Sequence, residues 1–279
     1  MYCILFPPGF GVGGAAGSWQ SAASMSQSAV FPAPRKVALF DLDGTLLAWD
    51  CQLLFRHFVS RRAPWRVILL PLYLASLPAG FLLGKDFLKR AFLGYLAGAD
   101  TATLAAWSKD FATGLLPAFY PELRDAIARH RDAGDFLILS SASPECYVEE
   151  IGRLLGFDLA LGTVVRGGGL LPGLVNHKGK EKVARLRREL PASWFANDAL
   201  AAAHGYTDSR ADLPMLALCQ AVTVVHPDPE LAAMAHARGW TILRPPRPWK
   251  SGIGFALRSL ALLMGVGGDP AGLKRPTAH

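Results

Sequence analysis

Val37-Ala38-Leu39-Phe40 and Phe136-Leu137-Ile138-Leu139 are short, unbroken apolar runs, and Ala221-Val222-Thr223-Val224-Val225 is nearly one. Runs of this length without polar alternation are the pattern of strands buried on both faces. Between them the apolar positions fall at helical spacing. Pro121-Glu122 opens a helix to about Arg131, with Leu123, Ala126 and Ile127 on one face and Gly134 as its stop. A second helix follows Pro144 and carries Val148, Ile151, Leu154 and Leu155. A third runs from Gly179 to Leu190 with Val183, Leu186 and Leu190 inward, and a fourth starts near Leu213. Residues 159–175 read as short β pieces around Gly167-Gly168-Gly169, and Ala201 to Tyr206 as a weaker strand. Strands alternating with helices predict an α/β fold, a Rossmann-like parallel sheet with right-handed crossovers. In such sheets the chemistry gathers at the carboxyl ends of the strands.

One long helical stretch interrupts the alternation. From Leu46 to about Tyr120 the pattern is helical, with breaks expected at Pro64, Pro71, Pro78 and Gly80. This predicts a core of residues 35–46 and 121–240, an inserted helical cap of 47–120, and a basic apolar tail of 241–279. Residues 1–34, uncharged and rich in Gly, Ala, Ser and Pro, read as a disordered lead. They lack the basic start and longer apolar run of a secretory signal, and Met25 is a second candidate for the start of translation.

Half of the 279 residues are hydrophobic and 18% are charged, which excludes a disordered or collagen-like chain. The net charge of +7 is unevenly spread. Residues 50–90 hold seven bases against two acids, residues 238–279 seven against Asp269 alone, and the remainder is net acidic. Both basic segments are also the apolar ones, so the anionic partner is read as a membrane surface and not nucleic acid. Val67 to Gly84 is 18 residues without a charge, flanked by Arg61, Arg62 and Arg66 before and Lys85, Lys89 and Arg90 after. About 20 residues are needed to cross a bilayer, and bases on both flanks lack the asymmetry of a single crossing. The stretch reads as a re-entrant or interfacial element, or else as a cap helix packed on its neighbours. Ile253 to Val266, with Lys274 and Arg275 beyond it, reads as an interfacial helix or one docked on the core. Trp49, Trp65, Trp240 and Trp249 would suit headgroup depth. Cys3, Cys51, Cys146 and Cys219 form no CxxC pair and suit a reducing compartment. The histidines lack zinc-site spacing, and His177 beside Lys178 reads as a surface turn, with a contact to substrate as the alternative.

The sharpest chemical signal is Phe40-Asp41-Leu42-Asp43-Gly44-Thr45-Leu46. Two carboxylates just past a buried strand, with Gly44 letting the chain turn, can bind Mg²⁺ or divide attack from proton transfer. The same residues also fit a solvated loop or Asx-turn. At the end of the second strand, the Ser141 hydroxyl and Ala142 amide can donate to a phosphate at a helix N-terminus; a serine there also fits an N-cap. Lys178-Gly179-Lys180-Glu181-Lys182 opens a helix, where cations are disfavoured and call for a compensating anion, unless the cluster is an exposed basic turn. Asp208, after the weak strand, offers another hard ligand, and Asp212 could buttress it.

In this order the motifs resemble the haloacid dehalogenase (HAD) superfamily of aspartate-nucleophile phosphatases, over residues 37–226. The resemblance implies that Asp41 attacks phosphorus and Asp43 manages protons. It implies that Thr45, Ser141, Ala142 and Lys182 hold the phosphoryl oxygens, with Lys180 the fallback lysine. Mg²⁺ would be bound by Asp41, the Asp43 carbonyl and Asp208, with Gly44 and Asp212 in support. The metal and lysine would offset repulsion between an anionic nucleophile and an anionic phosphate. The insertion is similar to the cap of the phosphoserine-phosphatase-like branch. Ser143-Pro144, Gly179-Lys180-Glu181-Lys182-Val183, Gly205-Tyr206-Thr207-Asp208-Ser209 and the Leu-Leu-Pro-Leu run resemble the bacterial phosphatidylglycerophosphatase C group. The implied reaction is Mg²⁺-dependent hydrolysis of a phosphomonoester, a membrane lipid phosphate first, at the cytoplasmic face of the bacterial inner membrane or in the cytoplasm. The alternatives are a soluble phosphatase for a small metabolite such as phosphoserine, and an inactive binding protein that keeps the fold.

Overall fold

The computed structural model describes residues 36–267. The lead of 1–34 with its alternative start, and the tail bases Lys274 and Arg275, lie outside the described residues. β1 (Val37–Phe40) is followed by α1 (Cys51–Arg62), α2 (Leu70–Leu93), α3 (Thr101–Leu115) and α4 (Pro121–Asp132). β2 (Phe136–Pro144), α5 (Glu145–Leu155), β3 (Leu159–Arg166), β4 (Gly173–Val175) and α6 (Lys180–Glu189) come next. A small hairpin of β5 (Phe195–Ala196) and β6 (Ala199–Leu200) precedes β7 (Ala203–Thr207) and α7 (Leu213–Leu216). β8 (Ala221–Val225), α8 (Pro229–Ala237), β9 (Thr241–Leu243) and α9 (Gly252–Leu263) complete the described chain.

The main sheet has seven strands in the order β4-β3-β2-β1-β7-β8-β9. All neighbours are parallel except the β3–β4 pair at one edge. The predicted α/β fold with a parallel sheet is therefore the observed one. β1 alternates as a doubly covered strand must: Ala38 and Phe40 enter one apolar cluster, Val37 and Leu39 the other. The first cluster also takes Leu54, Phe55, Phe58, Leu104 and Phe111 from α1 and α3, so the inserted helices share the core's hydrophobic interior. α8 and β9 were not among the expected elements; β9 is a three-residue edge strand with no readable period.

α2 departs from expectation. Pro71 and Pro78 do not break it. Pro71 sits in the first turn, where its missing N–H would be unsatisfied anyway. The break is Gly84, whose φ of 84° leaves the helical region and suits only glycine cheaply. There the chain doubles back: a Cβ on Gly80 would collide with the Leu88 side chain, and Tyr73 and Phe92 rings meet at 5.3 Å. In a straight helix residues 73 and 92 would be about 28 Å apart. α2 is thus a hairpin of two arms, residues 70–83 and 85–93.

Most of the bases expected to flank a lipid-facing segment are engaged with protein. Arg66 is buried and donates to the carbonyls of Tyr95 and Ala97, each at 2.7 Å. Arg62 pairs with Asp110, Arg61 donates to the Gly267 carbonyl, and Arg90 to that of Pro172. Nor is the stretch a buried cap helix: only 11% of its most apolar window is buried. The tail helix α9 docks on α1, with Leu262 buried and Arg56 donating to the Leu263 carbonyl. Trp49 and Trp249 pack on each other at 4.8 Å instead of facing outward, while Trp65 is exposed.

Candidate active site

Three neighbouring strands deliver the motif residues to one edge. Phe40 is in register with Leu139 of β2 and with Tyr206 of β7. The next residues, Asp41, Ser140-Ser141 and Thr207-Asp208, therefore leave the sheet side by side. Between β1 and β7 the chain order reverses, the switch point where open α/β sheets form their crevice.

Asp41 is buried, and its Oδ1 accepts from Lys182 Nζ at 2.7 Å. The same Nζ lies 2.8 Å from Asp212 Oδ1. Asp212 in turn accepts from Thr207 Oγ1 at 2.9 Å. Lys182 occupies the first turn of α6, and the anions that compensate it there are these two aspartates. Lys180 is exposed and has no such partner. The Thr45 hydroxyl stands 3.2 Å from Asp41 Oδ2 and 3.4 Å from Asp208 Oδ1, and donates to one at a time. Thr45 thus links the two carboxylates instead of presenting a free donor. Gly44 has a φ of 77°, and a Cβ there would overlap the Asp208 carboxylate. The glycine is needed both for the turn and for that approach.

Asp43 is held by three donors. Ser141 Oγ and Ser143 Oγ reach its Oδ2 at 3.0 and 2.7 Å, and the Cys51 N–H reaches Oδ1 at 2.6 Å. Ser141 lies inside β2, ahead of α5, so it is neither an N-cap nor at a helix N-terminus; Pro144 occupies the cap. The Ala142 carbonyl accepts from Thr163 Oγ1 and from Lys89 Nζ, both at 2.7 Å. Lys89 comes from the inner arm of α2 and also donates to Thr163 and Asn176. In the sequence Lys89 is one of the bases flanking the apolar stretch, and its helical spacing alone does not reveal that it turns inward. His177 is buried, not a surface turn, with Nε2 2.9 Å from Ser140 Oγ.

Charge balance favours a cation here. Burial above all, then Asp212 and Asp43, pushes Asp208 up to about 7. Burial likewise raises Asp41 well above the carboxylate range, with Lys182 opposing the rise. Burial opposes the charge on Lys182, but Asp41 and Asp212 more than compensate and hold it above the usual lysine value. Four aspartates around one lysine leave excess negative charge. The Asp41 and Asp208 carboxylates and the Asp43 carbonyl are hard oxygen donors of the kind Mg²⁺ takes, and the space left by Gly44 lets Asp208 approach. They fit such an ion. Among the described residues no group of three or more His, Cys, Asp or Glu side chains converges as a metal site, and the Asp43 carboxylate is turned to the serines. A cleft of about 950 Å³, walled by α2, α9, Asn176 and Lys178, reaches the site at Ala142 and is not lined by Asp41, Asp43, Lys182 or Asp208.

A parallel α/β sheet with an aspartate pair, a lysine and a further aspartate at its switch point defines the class, and the chain belongs to the haloacid dehalogenase-like hydrolases: the family profile matches residues 38–217. Among its relatives, a probable phosphatase of Mycobacterium tuberculosis is 31% identical over 228 residues, 78% of each chain. A phosphoserine phosphatase of the same organism is 30% identical over 221 residues, 74% of this chain and 69% of the relative. A protein of unknown function from Bordetella pertussis Tohama I has a similar solved structure, with TM-score 0.61 and 26% identity over 75% of this chain and 98% of that one. The chain is a phosphatase of this family.

Proposed function

We propose that the chain hydrolyses a small phosphomonoester through an aspartyl-phosphate on Asp41. The observation that carries this reading is the buried contact of Lys182 Nζ with Asp41 Oδ1 at 2.7 Å. It neutralises a carboxylate that must approach an anionic phosphate. An Asp41 oxygen bonds to phosphorus as the bond to the leaving alcohol breaks, and Asp43 gives that alcohol its proton. Asp43 then takes a proton from water, whose oxygen attacks phosphorus and frees Asp41. Such proton transfer is worth about 10²–10⁴ in rate. Ser141 and Ser143 suit both states of Asp43, because a hydroxyl can donate to a carboxylate or accept from an acid. Lys182 and the Ala142 backbone are assigned to the phosphoryl oxygens, Thr45 to linking Asp41 with Asp208, and Asp212 to holding Lys182. Bound Mg²⁺, held by Asp41, Asp208 and the Asp43 carbonyl, would neutralise phosphoryl charge. The helices of 47–120 act in this reading as a cap over a core of 35–46 and 121–240.

The phosphoserine phosphatase relative supports a small, charged substrate. A second reading, a membrane lipid phosphate handled at the cytoplasmic face as the resemblance to phosphatidylglycerophosphatase C implies, is favoured by the exposed apolar arm of α2. Phosphate release from phosphoserine, other soluble monoesters and phosphatidylglycerophosphate, with and without Mg²⁺, separates the two. Turnover of soluble esters alone upholds the first reading, and turnover of the lipid alone the second. An Asp41→Asn chain that still releases phosphate overturns both.

A further inference from the structure

The outer arm of α2 has no polar face. Pro71, Leu72, Leu74, Ala75, Leu77 and Pro78 are all exposed. At the tip Phe81, Leu82 and Leu83 are 92%, 89% and 62% exposed. A helix apolar around most of its circumference belongs in an apolar medium, and contiguous exposed patches of this kind mark interaction sites. The inner arm is different. It faces the protein through Lys89 and Arg90, and both ends of the hairpin are anchored by buried Leu70 and Leu93.

A second apolar surface adjoins it. α9 exposes Ile253, Phe255, Leu257 and Leu260. Its C-terminal end meets the base of the hairpin, where a Cβ on Gly265 would contact Val67 at 3.5 Å. The two helices also share the cleft that reaches Ala142, with Tyr73, Leu88 and Phe92 on one wall and Leu260 and Leu263 on the other.

From this we infer that the α2 hairpin and α9 together embed in one leaflet of an anionic bilayer and present the cleft mouth to its headgroups. Charge selects the occupant. Residues 63–85 and 248–267 contain no acid, and Asp86, the one acid of the hairpin, accepts from Asn176 Nδ2 at 2.7 Å. Lys85, Lys250 and Arg258 are exposed on or beside these helices. Cations beside an apolar face match an anionic lipid surface. A protein interface would instead set a polar, hydrogen-bonding rim around its apolar centre. Length excludes a crossing. The outer arm of 14 residues, at 1.5 Å each, reaches about 21 Å, short of the roughly 30 Å hydrocarbon core. The inference concerns where the enzyme sits and stands whichever phosphomonoester it takes.

The test uses the full chain with Leu82→Cys, reacted with a water-soluble maleimide and read by mass spectrometry of the peptide containing residue 82. It is run without vesicles, with phosphatidylcholine vesicles, and with vesicles holding a third phosphatidylglycerol. Expected are labelling in solution and protection by the anionic vesicles. A chain carrying Phe81→Ser, Leu82→Ser and Leu83→Ser should partition about a hundredfold less onto them while hydrolysing a soluble ester at the normal rate. Protection before vesicles are added would mean that a second copy or another segment covers the tip, and overturns the inference. So do labelling unchanged by anionic vesicles and triple-serine partitioning equal to the parent's.

Discussion

Lys182 and Asp212 form a buried pair at 2.8 Å whose ammonium also reaches Asp41 at 2.7 Å. One cation therefore serves both the proposed nucleophile and the residue that holds the cation in place. Lys182→Met should leave two buried carboxylates facing each other. Breaking a buried pair costs about 3–5 kcal/mol, so urea unfolding should show a loss of this order unless the aspartates protonate. Phosphate release should fall by at least about a hundredfold. Asp212→Asn keeps the shape and one hydrogen bond, so it should cost activity while sparing most of the stability. Equal losses in the two variants would mean that Asp212 acts only as a scaffold.

At Gly44 the backbone and the site impose the same demand. Gly44→Ala places a methyl group at a φ of 77° and into the Asp208 carboxylate. Positive φ alone costs a non-glycine residue about 1 kcal/mol or more. The collision adds a displacement of Asp208, so activity should drop far more than stability. Full activity in Gly44→Ala would show that Asp208 can retreat without consequence.

The central strands β1, β2 and β8, the core helices α4, α5 and α6, and the order of the motifs were legible because each rests on local pattern, whereas α8 and the edge strand β9 were not. Val37–Phe40 and Phe136–Leu139 are apolar with no alternation, and a parallel sheet is what buries them. Other features were not legible, because they depend on packing between distant segments. Lys89 and Arg66 look like flanking cations in the sequence, but the fold turns one into the cleft and the other onto main-chain carbonyls. The turn in α2 went to Gly84 and not to the prolines, since only a positive φ lets the chain reverse. Ser141 reads as a cap from its position after a strand, yet β2 continues past it. Lys182 and Lys180 were separable only through a family pattern; in the fold, burial against Asp41 distinguishes them.

His177 gives the protein an acid-sensitive element outside the aspartate cluster. Burial first, then Lys182 and other nearby bases, depresses it to about 3. The unfolded chain binds the proton at about 6.5, so below that pH unfolding takes up a proton that the native state refuses. Stability from this residue is complete above about 6.5 and declines as pH falls toward 3, by about 1.4 kcal/mol per unit. Between pH 7 and 5 the parent should lose about 2 kcal/mol more than a His177→Gln chain. Urea midpoints at the two pH values measure this, and identical losses would place the acid sensitivity elsewhere.

Mg²⁺ should stabilise the fold as well as support turnover, because the same two carboxylates bear the repulsion and would bear the ion. Asp41 and Asp208 are both raised by burial and by neighbouring aspartates, so a divalent cation relieves a cost already present in the native state. Binding to the native state alone adds RT ln(1 + [L]/Kd), about 2.7 kcal/mol at a hundred times Kd. The melting temperature should therefore rise with Mg²⁺ in the parent and fall back when EDTA is added. Asp208→Asn removes one ligand and one repelling charge together. It should melt higher than the parent without metal and respond little to Mg²⁺, crossing the parent's curve as the ion is added. If instead both chains rise in parallel, the ion acts at the surface and Asp208 is no part of its site.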